Sequence, residues 1–134
     1  MRVVRDIMTT GIRTMHRDTI VSEVEGIFVK RKISGAPLID DSGRLVGFIS
    51  KSDITRFDST GDDPGYARVH EIASPIVITI SPVTPIEEAA QKMLDEHVHH
   101  LVVVDEEAMV GMLSAFDFVK LVALASRDGS SGSD

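Results

Sequence analysis

Two phrases carry the residue types best suited to chemistry. GFISKSD begins at Gly47 and GMLSAFD begins at Gly111, 64 residues further on. Each sets a serine hydroxyl, Ser50 or Ser114, three residues ahead of a carboxylate, Asp53 or Asp117. At the start of a helix this spacing is a capping box with Asp in place of Glu, which satisfies backbone N–H groups that have no intrahelical acceptor. The same helix start offers oriented N–H groups and a partial positive charge to an anionic ligand. Capping accounts for the serine and the aspartate. It leaves Gly47 and Gly111 unexplained, and a glycine inside a strand marks a close approach to the backbone.

Histidines form the second such group. His97, His99 and His100 are packed into the run HVHH, and neutral imidazoles are good zinc ligands. Neighbouring His99 and His100 point to opposite faces of an extended segment, however, and no cysteine completes a ligand set. A metal site, helix-end histidines without a role, and contacts to a phosphate all remain open. His16 and His70 read as surface residues. No Ser/His/Asp arrangement has distinctive spacing, and the acid pairs Asp40-Asp41 and Glu106-Glu107 fall in turns, where acids are ordinary. The expectation is a chain that is not an enzyme.

Composition narrows the partners. The 134 residues suit one compact domain, or two small units sharing a core. With 21 acidic against 14 basic residues, a formal charge of −7, 4% aromatic content and no Trp, the chain lacks the basic, stacking face of a nucleic-acid binder. The run Lys30-Arg31-Lys32 reads as a solvated helix end that complements the dipole. A small anion remains possible, because a local site needs only oriented donors and a cation or two. The absence of Cys excludes disulfide and thiolate chemistry and fits a reducing cytosol. The opening MRVVRDIMTT has no apolar run suited to a signal peptide, and no segment approaches a membrane span. A cytoplasmic location, no membrane partner and no tightly bound cofactor are expected.

The elements that must position these residues come in duplicate. Shifted by 65 positions the sequence lands on itself: VRDIMT at Val4 falls on VHEIAS at Val69, and ISGAPLIDD at Ile33 on VHHLVVVDE at Val98. One residue drops out near Ser42–Arg44, after which the offset is 64; a hairpin turn tolerates such a loss. Each copy predicts a short helical turn near Asp6 or Glu71, then a small strand at 12–15 or 76–80. A helix at 21–31 or 86–97 follows, then a hairpin, and a last helix at 51–57 or 115–125. The second copy's first long helix has Thr84 as predicted N-cap and Pro85 at its first position. Its residues Ile86, Ala89, Ala90, Met93 and Leu94 follow the i, i+3, i+4 pattern of a core-facing stripe. Three short strands and two helices cannot close a good core alone. The expected fold class is therefore α/β (α+β), with two pseudo-symmetric β-α-β-β-α repeats packed sheet to sheet. The expected boundaries are 3–58 and 69–126, with a linker at 59–68 and a disordered tail at 127–134.

The stretches GAPLIDDSGRLVGFISKSDI and HHLVVVDEEAMVGMLSAFDF resemble the cystathionine-β-synthase (CBS) domain family, present as a tandem pair, or Bateman module. The resemblance covers roughly residues 3 to 125; Val102 departs from it, standing where the first repeat has Pro37. It implies adenine nucleotides bound in two clefts between the repeats, with each Asp accepting hydrogen bonds from ribose hydroxyls and each Ser binding ribose or phosphate. One cleft would join Ser50, Lys51 and Asp53 with Ile78, Val98, His99 and His100. The other would join Ser114 and Asp117 with Arg13, Ile33, Ser34 and Gly35. The physical logic agrees: a carboxylate takes two hydroxyl donors at once, which suits a cis-diol. Gly47 and Gly111 would let a ligand approach the backbone.

The implied function is a freestanding, non-catalytic regulatory module that senses AMP, ADP or ATP and signals through assembly or a partner protein. Two alternatives stand beside it: a ligand-free scaffold for oligomerisation or protein interaction, and a module for S-adenosylmethionine, a dinucleotide or a metal ion. The resemblance also implies a homodimer formed through helix faces, and FDFVKLVALA at Phe116 is apolar on more sides than one core-facing stripe requires.

Overall fold

A computed structural model of the chain describes residues 1–127. In order, its elements are α1 (Val4–Ile7), β1 (Met15–His16), α2 (Val21–Arg31), β2 (Gly35–Ile39), β3 (Leu45–Ser50), α3 (Lys51–Asp58) and a 3₁₀ turn (Val69–Glu71). They continue with β4 (Thr79–Ile80), α4 (Ile86–Glu96), β5 (His100–Asp105), β6 (Ala108–Ser114) and α5 (Ala115–Arg127). Arg127, expected to open the tail, closes α5; the rest of that expected tail lies outside the described residues. The fold class is mixed α/β, with two three-stranded sheets ordered β1-β2-β3 and β4-β5-β6. In each the first pair is parallel and the second an antiparallel hairpin.

The chain forms two compact units, and they do not follow the repeats. One unit is Arg13–Val77; the other joins Met1–Ile12 to the residues from Ile78 onward. The opening turn of each repeat thus packs with the other repeat's sheet. Val4 N–H donates to the Thr84 carbonyl (2.8 Å) and Arg5 N–H to that of Pro82 (2.9 Å). In the other unit Val69 N–H donates to Thr19 (2.8 Å) and His70 N–H to Arg17 (3.1 Å). Asp6 and Glu71 close their turns by accepting from the backbone N–H of Val3 and Arg68.

The cores repeat the pattern. Met15, Val24, Phe28, Ala36, Leu38 and Ile49 close one unit around Val69. Ile80, Ala89, Met93, Leu101, Val103 and Leu113 close the other around Val4. Leu38, Ile49, Leu101 and Leu113 are at most 1% exposed, and burying each such side chain stabilises by about 1.5–3 kcal/mol.

Helix α4 starts one residue later than its sequence indicates. Pro85 is the N-cap, with Ile86 the first helical residue, and Thr84 serves α1 through its carbonyl instead. Both α2 and α4 end on a left-handed residue, Lys32 (φ 55°) and His97 (φ 56°).

The hairpins explain the missing residue. In the first, Asp40 Oδ1 accepts from Ser42 and Arg44 N–H and holds a loop between Ile39 and Leu45. The second is tighter, with Asp105 opposite Ala108 and both Glu106 (φ 48°) and Glu107 (φ 72°) left-handed.

Candidate functional site

Each phrase is the end of a strand running into a helix. At Ser50 the capping box forms in full. Asp53 N–H donates to Ser50 Oγ at 3.3 Å, and Asp53 Oδ2 accepts from Ser50 N–H and from Ser50 Oγ, both at 2.9 Å. At Ser114, Asp117 Oδ2 accepts from the backbone N–H at 2.8 Å and from Oγ at 3.3 Å. One carboxylate oxygen of each pair is therefore spent on the helix start. The other faces side chains. Arg56 Nη1 lies 3.3 Å from Asp53 Oδ1, while Thr9 Oγ1 donates to Asp117 Oδ1 at 3.3 Å, with Lys120 Nζ 3.7 Å from the same oxygen. The Asp53 side chain keeps 13% of its surface exposed and that of Asp117 only 3%.

Gly47 and Gly111 have a different cause from the one expected. A Cβ at Gly47 would stand 2.9 Å from the Ser74 carbonyl oxygen; one at Gly111 would stand 2.7 Å from Met8 Sδ and 2.9 Å from the Thr9 carbonyl oxygen. Ser74 and Phe48 exchange two backbone hydrogen bonds (2.9 and 3.0 Å), as do Thr9 and Met112 (2.8 and 2.9 Å). What approaches each glycine is thus the opening segment of the other repeat, laid against the strand.

The strand register decides which expected site residues meet. Gly35 stands opposite Ser50, and Lys51 N–H donates to the Ser34 carbonyl at 2.9 Å. His100 stands opposite Ser114, and Ala115 N–H donates to the His99 carbonyl at 2.9 Å. Ser34, Gly35, Ser50, Lys51 and Asp53 therefore form one group, and His99, His100, Ser114 and Asp117 another. Within each unit the hairpin thus sets Ser34 and Gly35 beside the Ser50 phrase, and His99 and His100 beside the Ser114 phrase. Ile33 packs against the first core, and Ile78 and Val98 against the second. Arg13 is exposed.

His100 is the titratable group that this arrangement alters. Burial, then the neighbouring His99, push its imidazole below the ordinary value of 6.5, while Asp117 pulls it back up. His97 is the left-handed cap of α4, and with His99, Val98 and Phe118 it lines an open cavity of about 450 Å³. A second open cavity, of about 630 Å³, has Asp53, Arg56, Phe57 and Tyr66 in its lining. His16 and His70 lie near Asp18, and His16 also contacts Asp41. Among the described residues no three His, Cys, Asp or Glu side chains are placed to hold a metal ion. Among them, too, no helix is long and apolar enough to cross a membrane.

The sequence reading passed over Arg56, Lys120 and Thr9. The first two were within reach, since a cation three residues after an acid on a helix shares its face. Thr9, 108 residues from Asp117, carries no such signal.

The CBS domain model matches residues 4–59 and 69–124, and the chain belongs to that family. Its fold is similar to the crystal structure of CBSX2 in complex with AMP, at 25% identity and TM-score 0.80, covering 94% of this chain and 99% of that one. It is similar also to the CBS domain pair of protein MJ0100 in complex with 5′-methylthioadenosine and S-adenosyl-L-methionine, at 28% identity and TM-score 0.82, covering 91% and 96%. Homoserine O-acetyltransferase of Methanohalobium evestigatum is 29% identical over 120 residues, which are 89% of this chain but only 24% of that enzyme. The chain likewise spans 42% of a Methanocaldococcus jannaschii relative of 26% identity. Domain pairs of this kind are generally regulatory.

Proposed function

We propose that this chain is a non-catalytic regulatory module that binds an adenine nucleotide and passes its state on through self-association or a partner protein, in the cytoplasm. The observation that carries this reading is the twin arrangement at Asp53 and Asp117. Each sets a carboxylate with one oxygen fixed by a helix cap and the other facing side chains, beside the segment entering the preceding strand. A carboxylate so placed suits the two hydroxyls of a ribose, and the adjacent residues supply a phosphate contact: Ser34, Gly35 and Lys51 at one half-site, His99 and His100 at the other. The AMP held by CBSX2 and the methylthioadenosine and S-adenosylmethionine held by the MJ0100 pair have adenosine in common.

The MJ0100 pair favours a second reading, in which the ligand is an adenosine thioether or sulfonium rather than a nucleotide. Isothermal titration with AMP, ADP, ATP, 5′-methylthioadenosine and S-adenosylmethionine decides between them. Tighter binding of a phosphorylated ligand supports the nucleotide reading, and preference for a sulfur ligand supports the second. Failure of all five at millimolar concentration leaves the ligand-free scaffold and overturns both.

A further inference from the structure

The two half-sites differ at one hydroxyl. Thr9 and Ser74 occupy matching places, each paired through its backbone with a strand: Thr9 with Met112 and Ser74 with Phe48. Their side chains part company. Ser74 Oγ donates to the Ile76 carbonyl (3.0 Å) and accepts from Ile76 N–H (3.2 Å), in a tight turn around Pro75. Thr9 has Thr10 after it in place of a proline, and its hydroxyl reaches Asp117 Oδ1 at 3.3 Å.

We propose that the Thr9 hydroxyl stands in for a ribose hydroxyl on Asp117, and so makes Thr9 the residue that sets the lower affinity of this half-site. The inference rests on the adenosine-binding reading above. Asp117 Oδ2 is held by Ser114, which leaves Oδ1 as the oxygen for a ligand. Asp117 is 4% exposed, so an incoming hydroxyl reaches Oδ1 only once that of Thr9 has turned aside. Binding there trades one hydroxyl–carboxylate bond for another and gains little. At Asp53 the corresponding oxygen faces Arg56, whose side chain is 68% exposed, and no hydroxyl from the Ser74 segment has to be displaced. Thr9 is itself exposed and anchored through its backbone, so its side chain is free to turn without unpairing the strand.

The test compares Thr9→Val, Thr9→Ala and Thr9→Ser in an Asp53→Ala background, titrated with AMP and with 2′,3′-dideoxy-AMP, which has no ribose hydroxyl. Thr9→Val and Thr9→Ala are expected to tighten AMP about fivefold, the worth of one net hydrogen bond, while Thr9→Ser stays at the starting affinity. The dideoxy analogue is expected to gain nothing, which separates release of the acceptor from a general change in the fold. Unchanged or weaker AMP binding in Thr9→Val, or an equal gain for the dideoxy analogue, overturns the proposal and leaves the adenosine reading in place. If the Asp53→Ala protein does not bind AMP with either residue at position 9, while an Asp117→Ala protein does, the proposal fails together with the Asp117 half-site. If neither background binds, the functional reading fails as well.

Discussion

Gly47 lies so close to Ser74 that a methyl group on it would stand 2.9 Å from the Ser74 carbonyl oxygen, and Gly111 is crowded in the same way by Met8 and Thr9. The obstacle is largely backbone already bonded to the strand, so it cannot step aside cheaply. Gly47→Ala and Gly111→Ala are each expected to destabilise by about 1–3 kcal/mol, as overpacking does. Gly26, inside α2 with open space around it, is the control; Gly26→Ala is expected to stabilise by about 0.5–1 kcal/mol. Urea denaturation of the three variants measures this. Equal effects at all three positions would mean that the close approach does not constrain the glycines.

Asp53 and Asp117 close helix starts whatever else they do. Replacing either by Ala is expected to cost about 1 kcal/mol as a lost cap, and more at Asp117, where the Ser114 N–H and the Thr9 hydroxyl lose a buried acceptor. On the proposed function Asp53→Ala also weakens its half-site about 10- to 150-fold, the loss of a charged acceptor for hydroxyls, and Asp117→Ala weakens its own by less, because the Thr9 hydroxyl already holds that carboxylate. Melting curves with and without AMP separate the two effects, since a ligand that binds the native state raises the midpoint. If the AMP-induced rise is the same in wild type and both variants, these residues are caps and nothing more.

The lowered pKa of His100 has a definite sign. The folded state favours the neutral imidazole, so below the unfolded value of 6.5 the unfolded chain takes up a proton more readily. Stability is therefore expected to fall as pH drops through 6.5 toward the lower folded value, and to recover above it. His100→Gln is expected to flatten that part of the profile, followed by chemical denaturation from pH 7.5 to 5. A profile as steep in the variant as in wild type would assign the loss to other groups.

The tight turn at Glu106-Glu107 puts two glutamates at positive φ, where Asn and Gly are the residues that fit a two-residue hairpin. Glu106→Asn with Glu107→Gly is expected to stabilise by about 1 kcal/mol, read as a higher denaturation midpoint at unchanged slope. No gain would show that the glutamates make compensating contacts there.

Self-association, part of the proposed function, has a visible candidate face. On α5, Phe116, Val119 and Val122 follow one another at i, i+3 spacing along one side and are 59–69% exposed, an apolar load that a helix facing water does not ordinarily carry. Light scattering at tens of micromolar is expected to give a dimer, and Val119→Glu with Val122→Glu to give a monomer. A monomeric wild type at that concentration removes this route of signalling.

Much of the fold is written locally. The 65-residue offset, the hairpins, the i, i+3, i+4 stripe of α4 and the Ser-x-x-Asp starts of α3 and α5 depend on neighbours a few residues apart, so pattern and turn chemistry reveal them. Helix α2 runs over Val21–Arg31, the span expected for it. Three features did not yield to such reading. Val4 and Val69 open near-identical turns, and nothing in either turn says which sheet it will complete; only the closing of both cores sends Val4 to Leu101 and Leu113 and Val69 to Leu38 and Ile49. The placement of His100 hangs on a one-residue irregularity between Val103 and Val104. Counting back from the turn without that shift sets His100 opposite Leu113, and with it opposite Ser114. The contact between Thr9 and Asp117 joins residues at opposite ends of the chain. Loop closure over such a distance costs entropy that no local pattern encodes, and packing of the opening segment against β6 is what brings them together.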